Sequence, residues 1–413
     1  MNNEFKLRRE ELLAELTLNS VVVLFAGKGV KRSADSDYPF TVNYNFAYLT
    51  NIDEPEAVLM MVKLRHRTSV TLFVRDIDLN LQKWNGKYLS IDEAQAFSGI
   101  DSVVYLSAFE SAFISQLTRA GVNHLYLDLE RLNMTDRPLM GELFAKKVRE
   151  THPALLIDNI YPMIAAMRTI KSDEEIRKIE NCITVTKLAF ERMVKKAHKS
   201  NFEYELQADF EYELKRNSAA PAFDMIVAGG VRSTVLHYLK NSEKLSEHEL
   251  VLCDMGATKD LYNSDISRTF PKSGKFSDRQ KILYNIVLEA MDAVYEKIKP
   301  GVMLKELNNV VIDVYEKRLK DIGLIKDRSE VSNYYYHGVS HFLGMDVHDV
   351  GQIENMVLVA GNVITVEPGL YIEAESMGIR IEDDVLVTED GYRNLSECIV
   401  KSADEIEALM NNG

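Results

Sequence analysis

A chain of 413 residues is long enough for two or three domains, and 46% hydrophobic with 27% charged residues is the balance of an ordinary globular protein. The net charge of −14 argues against nucleic acid as a partner, and no run approaches the roughly 18 apolar residues of a membrane helix. Three cysteines, Cys182, Cys253 and Cys398, show no CxxC spacing, which argues for a reducing compartment, with the cytoplasm as the default.

The first residues, MNNEFKLRREELL, are charged throughout and lack the apolar stretch of a signal peptide. Residues 4–16 read as a short amphipathic helix, and SVVVLFAG (20–27) as a buried strand ending in Gly. The stretch RSADSDYPFTVNYNFAYLTNIDEPEAVLMMVK is polar and aromatic, then strand-like. Further strands are predicted at 70–76, 101–107 and 123–129, with helical spacing over 92–100 and 110–121. This alternation indicates an α/β domain, taken as residues 1–165. KSDEEIRKIE then opens a helix, with Ser172 as N-cap and Glu175 in capping-box position, and starts a second domain, 166–413. Helices are predicted over 202–217, 277–298 and 303–320.

The chemistry gathers between Leu252 and Glu382. Asp254 and Asp265 lie in LVLCDMGATKDLYNSDISRTF, His341 in YYYHGVSHFLGMDVHDVG, Glu367 in VITVEPGLYI and Glu382 in GIRIEDDVLV. Asp254, Glu367 and Glu382 each follow an apolar run of buried-strand type, and burying carboxylates without partners is very costly. Divalent ions would remove that cost, and two ions about 3.5–4 Å apart can activate a water. Alone, Asp254 and Asp265 also read as turn aspartates, and His341 as a hydrogen-bonded core histidine. Strand alternation turns Cys253 away from Asp254, into the core, and puts Arg380 and Glu382 on one face. His237, in VLHYLKN, is by itself only a His near a Tyr.

These four phrases, in this order, resemble the metallopeptidases of the pita-bread fold, and most closely the Xaa-Pro aminopeptidases. RSADSDYPF and TNIDEPEAVL resemble that family's N-terminal domain, so the likeness covers nearly the whole chain. The resemblance implies an α/β N-terminal domain and an α+β catalytic domain of pita-bread fold. It implies Asp254 on one ion, Asp265 and Glu382 as bridges, His341 on a metal, and Glu367 as both ligand and base. It assigns His348 to the substrate, leaves His337 least certain, and has His237 lining the site. Arg380 would balance charge or orient a carboxylate. Tyr371 lines the pocket or is a packed core tyrosine. Where the family usually has Thr, this chain has Ser267, which keeps the hydroxyl.

A hard set of four carboxylates and one imidazole suits two ions of the Mn²⁺ kind, with Co²⁺, Fe²⁺ or Zn²⁺ as alternatives. The implied reaction is hydrolysis of the bond before a proline in second position. The nearest alternative is a prolidase restricted to dipeptides; a non-catalytic binding protein of the same fold is another. The segment from Gly351 to Val363 is short and carries no Arg, which bears on contacts with longer substrates. The implied partners are Xaa-Pro peptides and further copies of the chain in a homodimer or homotetramer. Trp84, in KWNGKYL, and Asp35 either edge the substrate entrance or are plain surface residues.

Overall fold

The computed structural model describes residues 2–131, 133–351 and 356–411, so that 352–355, within the Arg-free segment singled out above, lie outside the described residues. The chain divides into two compact units, Met1–Arg168 and Thr169–Gly413.

In the first unit the β-branched run Ser20–Phe25 is a central strand of a six-stranded mixed sheet. It pairs antiparallel with Val58–Leu64 on one side and parallel with His124–Leu127 on the other. Val21, Val23, Val58, Met60, Phe73, Leu125 and Leu127 make the core of one face, under helices that bring in Phe113, Ala145 and Val148. The N-terminal helix spans Asn2–Glu15. Its buried side holds Leu12 and Leu13 together with two arginines. Arg8 donates to the Tyr48 carbonyl, and Arg9 donates to those of Leu49 and Ser98, so both satisfy the ends of neighbouring helices that would otherwise be orphaned. Helices Tyr44–Thr50 and Met140–Thr151 are not among the predicted elements, although the second carries its buried residues Gly141, Ala145 and Val148 at helical spacing.

In the second unit Ser172 caps the helix Asp173–Lys196, with the Glu175 capping box in place. Helices Glu203–Arg216, Asp278–Lys297 and Leu304–Asp321 match the predicted segments within a residue or two. Among them lie short antiparallel strands. Leu250–Met255 pairs with Ile226–Gly229 and Ile266–Pro271; Val363–Val366 pairs with Asp383–Val387; Gly369–Ile372 pairs with Met377–Arg380. At Gly256 a Cβ would lie 2.0 Å from the Ser264 carbonyl oxygen, so only glycine permits the close approach between the segments bearing Asp254 and Asp265.

Behind these strands sits a fully buried ion pair. Arg268 donates to Asp383 at 2.6 Å, to the Glu382 carbonyl at 2.6 Å and to the carbonyls of Ser267, Ile399 and Val400. Asp383 also accepts from Tyr295, Asn394 and Lys401. Burial alone would raise the Asp383 carboxyl, but the charges of Arg268 and Lys401 hold it at about 2. Removing one partner of such a pair strands the other in the interior. Arg268→Met is therefore expected to cost about 3–5 kcal/mol, read as a lower urea midpoint with an unchanged slope.

Candidate metal centre

Five strand or loop ends converge in the second unit. Asp254 is the penultimate residue of Leu250–Met255, and Asp265 immediately precedes Ile266–Pro271. Glu367 follows Val363–Val366, and Glu382 lies between Met377–Arg380 and Asp383–Val387. His341 comes in on the loop ahead of Val363, its backbone N–H bonded to Thr365 Oγ1 at 3.1 Å. Among the described residues three groups of potential ligand atoms result, each mutually within 4.8 Å: Asp254, Asp265 and Glu382; His341, Glu367 and Glu382; and Asp265, His341 and His348.

The protein's own charges do not balance this cluster. His341 Nε2 lies 3.5 Å from both Asp265 and Glu367. Arg380 supplies the guanidinium, donating to Asp254 at 2.7 Å, Ser267 Oγ at 2.9 Å and Tyr371 Oη at 3.1 Å. Against these two stand four carboxylates. Burial, opposed by His341 and reinforced by Asp254, lifts the carboxyl of Asp265. Glu367 is lifted by burial despite His341 and Arg380, and Glu382 by burial together with Asp265 and Glu367. Burial lowers His341, but the carboxylates of Asp265 and Glu367 outweigh it and raise the imidazole to about 9. Asp254 Oδ1 is buried without a hydrogen-bond partner. A buried carboxylate oxygen left open, beside hard oxygen donors that repel one another, fits a site for divalent cations.

The other histidines behave differently. Burial, then the charge of Arg380, brings His337 down to about 4; partial burial, then His341 and His237, brings the more open His348 to about the same value. The His341 and His348 rings are 4.1 Å apart, and His348 is itself exposed. His337 Nε2 meets Tyr371 Oη at 2.8 Å. His237 is exposed on the loop after Ile226–Gly229, near enough for its charge to bear on both His337 and His348.

The structure thus brings Asp254, Asp265, His341, Glu367, Glu382, Arg380, Tyr371, His237 and His348 into one region. Tyr371 is 2% exposed and packs on Ile226, Ala228 and Leu252, so its hydroxyl serves His337 and Arg380 from the rear wall. Trp84 and Asp35 belong to the first unit. Trp84 is 85% exposed on the helix Leu79–Asn85, and Asp35 is exposed between the short strands Lys31–Ser33 and Ser36–Asp37. Cys253 is fully buried, and the three cysteines are unpaired.

Sequence reasoning undervalued Ser267. Its hydroxyl accepts from Arg380 Nε and donates to Glu382 Oε2 at 2.9 Å, so it links the cation to a carboxylate of the cluster. Thr365, which reaches Glu367 Oε1 at 3.4 Å, and Asp384, which accepts the Asp265 N–H at 3.1 Å, were not singled out at all. Thr365 lies on the strand Val363–Val366, two residues before Glu367, a spacing that could have flagged it.

Residues 177–389 match the model of metallopeptidase family M24, and residues 5–126 match that of the aminopeptidase P N-terminal domain. The chain belongs to metallopeptidase family M24. Within that family it is 36% identical to an Xaa-Pro aminopeptidase of Escherichia coli, over 98% of this chain and 97% of that protein. It is 33% identical to one of Haemophilus influenzae, over 99% and 97%. Its fold superposes on a putative aminopeptidase P from Bacillus anthracis with a TM-score of 0.97 at 46% identity, covering 100% of this chain and 98% of that one. A zinc-substituted E. coli aminopeptidase P in complex with product gives 0.91 at 33% identity, over 100% and 98%. The two-domain, pita-bread expectation is borne out, as is membership of the aminopeptidase P branch of this metallopeptidase family. Among the described residues, no helix is long and apolar enough to cross a membrane.

Asp265, His341 and Glu382 each stand in two of the three ligand groups, and of these the two carboxylates have the second oxygen that sharing needs. Asp265→Asn and Glu382→Gln are accordingly expected to lower metal content, measured by elemental analysis, and to abolish metal-dependent turnover. The far-ultraviolet circular dichroism should stay that of the wild type. Near-normal activity of either variant at limiting Mn²⁺ would contradict the assignment.

Proposed function

We propose that this chain is a dinuclear Xaa-Pro aminopeptidase, releasing the N-terminal residue from peptides whose second residue is proline. The observation that carries the proposal is the sharing of Glu382 between an Asp254–Asp265 group and a His341–Glu367 group. On this reading Asp254 would hold one ion, His341 and Glu367 the other, and Asp265 and Glu382 would be available to both. The hard donor set favours Mn²⁺, with Co²⁺, Fe²⁺ or Zn²⁺ as alternatives. When bound, such a pair lowers the pKa of a water and polarises the scissile carbonyl.

The remaining steps follow from the side chains. Glu367, its carboxyl raised by burial, suits the acceptance of a proton from the attacking water and its delivery to the leaving proline nitrogen. His348, neutral at neutral pH, can donate a hydrogen bond to the developing oxyanion without bringing repulsive charge to the cations. His237 would line the same space, being near enough to bear on both His337 and His348. Arg380, fixed by three partners, holds Asp254 and, through Ser267, Glu382. A bond before proline has no N–H to grip, so recognition must come from the shape of the pocket around the pyrrolidine ring.

A prolidase needs a free cation for the proline carboxylate, and Arg380 is already committed to Asp254. The full donor set argues equally against a binding protein without chemistry. We further propose a homodimer or homotetramer in which Trp84 and Asp35 of one copy edge a neighbour's entrance, a role suited to an exposed tryptophan. A cytoplasmic setting accords with the three unpaired cysteines.

With Mn²⁺ added, Xaa-Pro-Yaa tripeptides should be cleaved to Xaa and Pro-Yaa in preference to Xaa-Pro dipeptides, read by mass spectrometry. Exclusive cleavage of dipeptides would establish the prolidase instead. His348→Ala should retain both metals and near-normal KM while kcat falls roughly 10²–10³-fold, the size of losing one oxyanion donor. His341→Ala should lose metal first, with activity partly restored by excess Mn²⁺. Equal metal loss in both variants would move His348 into the ligand set, where its nearness to Asp265 and His341 would also allow it.

A further inference from the structure

Glu203 is a carboxylate that the reaction does not use. It is 0% exposed, at the first position of the helix Glu203–Arg216, and all its partners lie on one loop. Oε1 accepts from the Gly229 N–H at 3.0 Å and from Arg232 Nε at 2.7 Å. Oε2 accepts from Tyr238 Oη at 2.8 Å and from the Glu243 N–H at 2.9 Å. One carboxylate thus gathers the start, middle and end of the segment Gly229–Glu243. Burying a charge this completely is tolerable only because four donors meet it and the helix N-terminus favours an anion there.

His237 rides on this loop, next to Tyr238, whose ring packs against Ile226, Ala228, Leu252 and Tyr371. Among the described residues the His237 side chain makes no hydrogen bond, so its direction is set by the loop backbone. The loop's other side is tied to the metal region. Ser233 Oγ accepts the Gly378 N–H at 2.7 Å, on the strand that ends at Arg380, and the Thr234 carbonyl accepts from Tyr336 Oη at 2.6 Å. The segment is therefore stretched between Glu203 on one side and the Arg380 strand on the other.

We infer that Glu203 is a positioning residue that aims His237 at the substrate by clamping the Gly229–Glu243 loop; the inference rests on His237 facing the substrate, as proposed above. In Glu203→Gln an amide N–H₂ must face one of the two donor pairs, so either the Gly229–Arg232 end or the Tyr238–Glu243 end is released. A displacement of the order of 1 Å at a group that contacts substrate can cost about 10²-fold.

The test is a double-mutant cycle on the Mn²⁺-loaded full chain with one Xaa-Pro tripeptide, alongside amide hydrogen exchange over 229–243. Glu203→Gln should lower kcat/KM roughly 10–100-fold, speed exchange in the loop and leave metal content unchanged. Tyr238→Phe, which deletes a single hydroxyl and keeps the packed ring, should act in the same direction and more weakly. In the His237→Ala background neither change should matter further by more than about twofold. Losses that multiply undiminished in that background would overturn the inference, because Glu203 would then act without His237. Wild-type kcat/KM in both Glu203→Gln and Tyr238→Phe, with His237→Ala impaired, would overturn it alone. Wild-type kcat/KM in His237→Ala would remove the reading of His237 itself and the inference with it.

Discussion

The mutual repulsion of four clustered carboxylates, two buried and two only slightly exposed, is the constraint on which this structure turns. Asp254, Asp265, Glu367 and Glu382 approach to ligand-sharing distance in a region where little water reaches them, with one guanidinium and one imidazole to oppose them. Left to themselves, such groups respond by taking up protons, which is the direction in which burial drives Asp265, Glu367 and Glu382. A polypeptide that keeps them together is one whose native chemistry includes cations from outside the chain.

Neighbouring residues show what a satisfied buried carboxylate looks like here. Asp383 follows Glu382 directly, yet it has Arg268, Lys401, Tyr295 and Asn394 as donors and is held at about 2. Glu382 has only Ser267 Oγ as a side-chain donor among the described contacts, and its carboxyl is pushed up. The two sit on opposite sides of the same short stretch. The compensated one anchors the strands, and the under-compensated one faces the space where a cation belongs. Arg268 serves both, since it also binds the Glu382 carbonyl.

Around this charged floor the imidazoles are graded by their neighbours. His341, between two carboxylates, is raised; His337 and His348 are lowered, because burial and the neighbouring cationic groups outweigh the carboxylates they also approach. The same residue type is thereby made fit for a place beside carboxylates in one case and for neutral hydrogen-bond donation in the others. That gradation depends on positions within a few ångströms, and Thr365, bonded to the His341 N–H and to Glu367, and Ser233, bonded to the Gly378 N–H, help to fix them.

Much of this was legible in the residues alone. The apolar runs before Asp254 and Glu367, and the one before Glu382, announce buried strands, and the Ser172–Glu175 box announces its helix, because hydrophobic period and capping are local. The order of the four acidic and histidine phrases carried the family. Ser267 was noted only as a hydroxyl in a family phrase, and Thr365 and Asp384 were not legible as parts of the site, because an isolated hydroxyl or a second aspartate acquires a role only from what folds against it. Nor could sequence separate Asp383 from Glu382, or give Glu203 its loop, since their partners Arg268, Lys401 and Tyr238 lie 115, 18 and 35 residues away. Local pattern determined which elements form and which side chains bear chemistry. Long-range packing decided which buried charges are compensated and which are left open, because electrostatic compensation is a property of distance in space and not of separation along the chain.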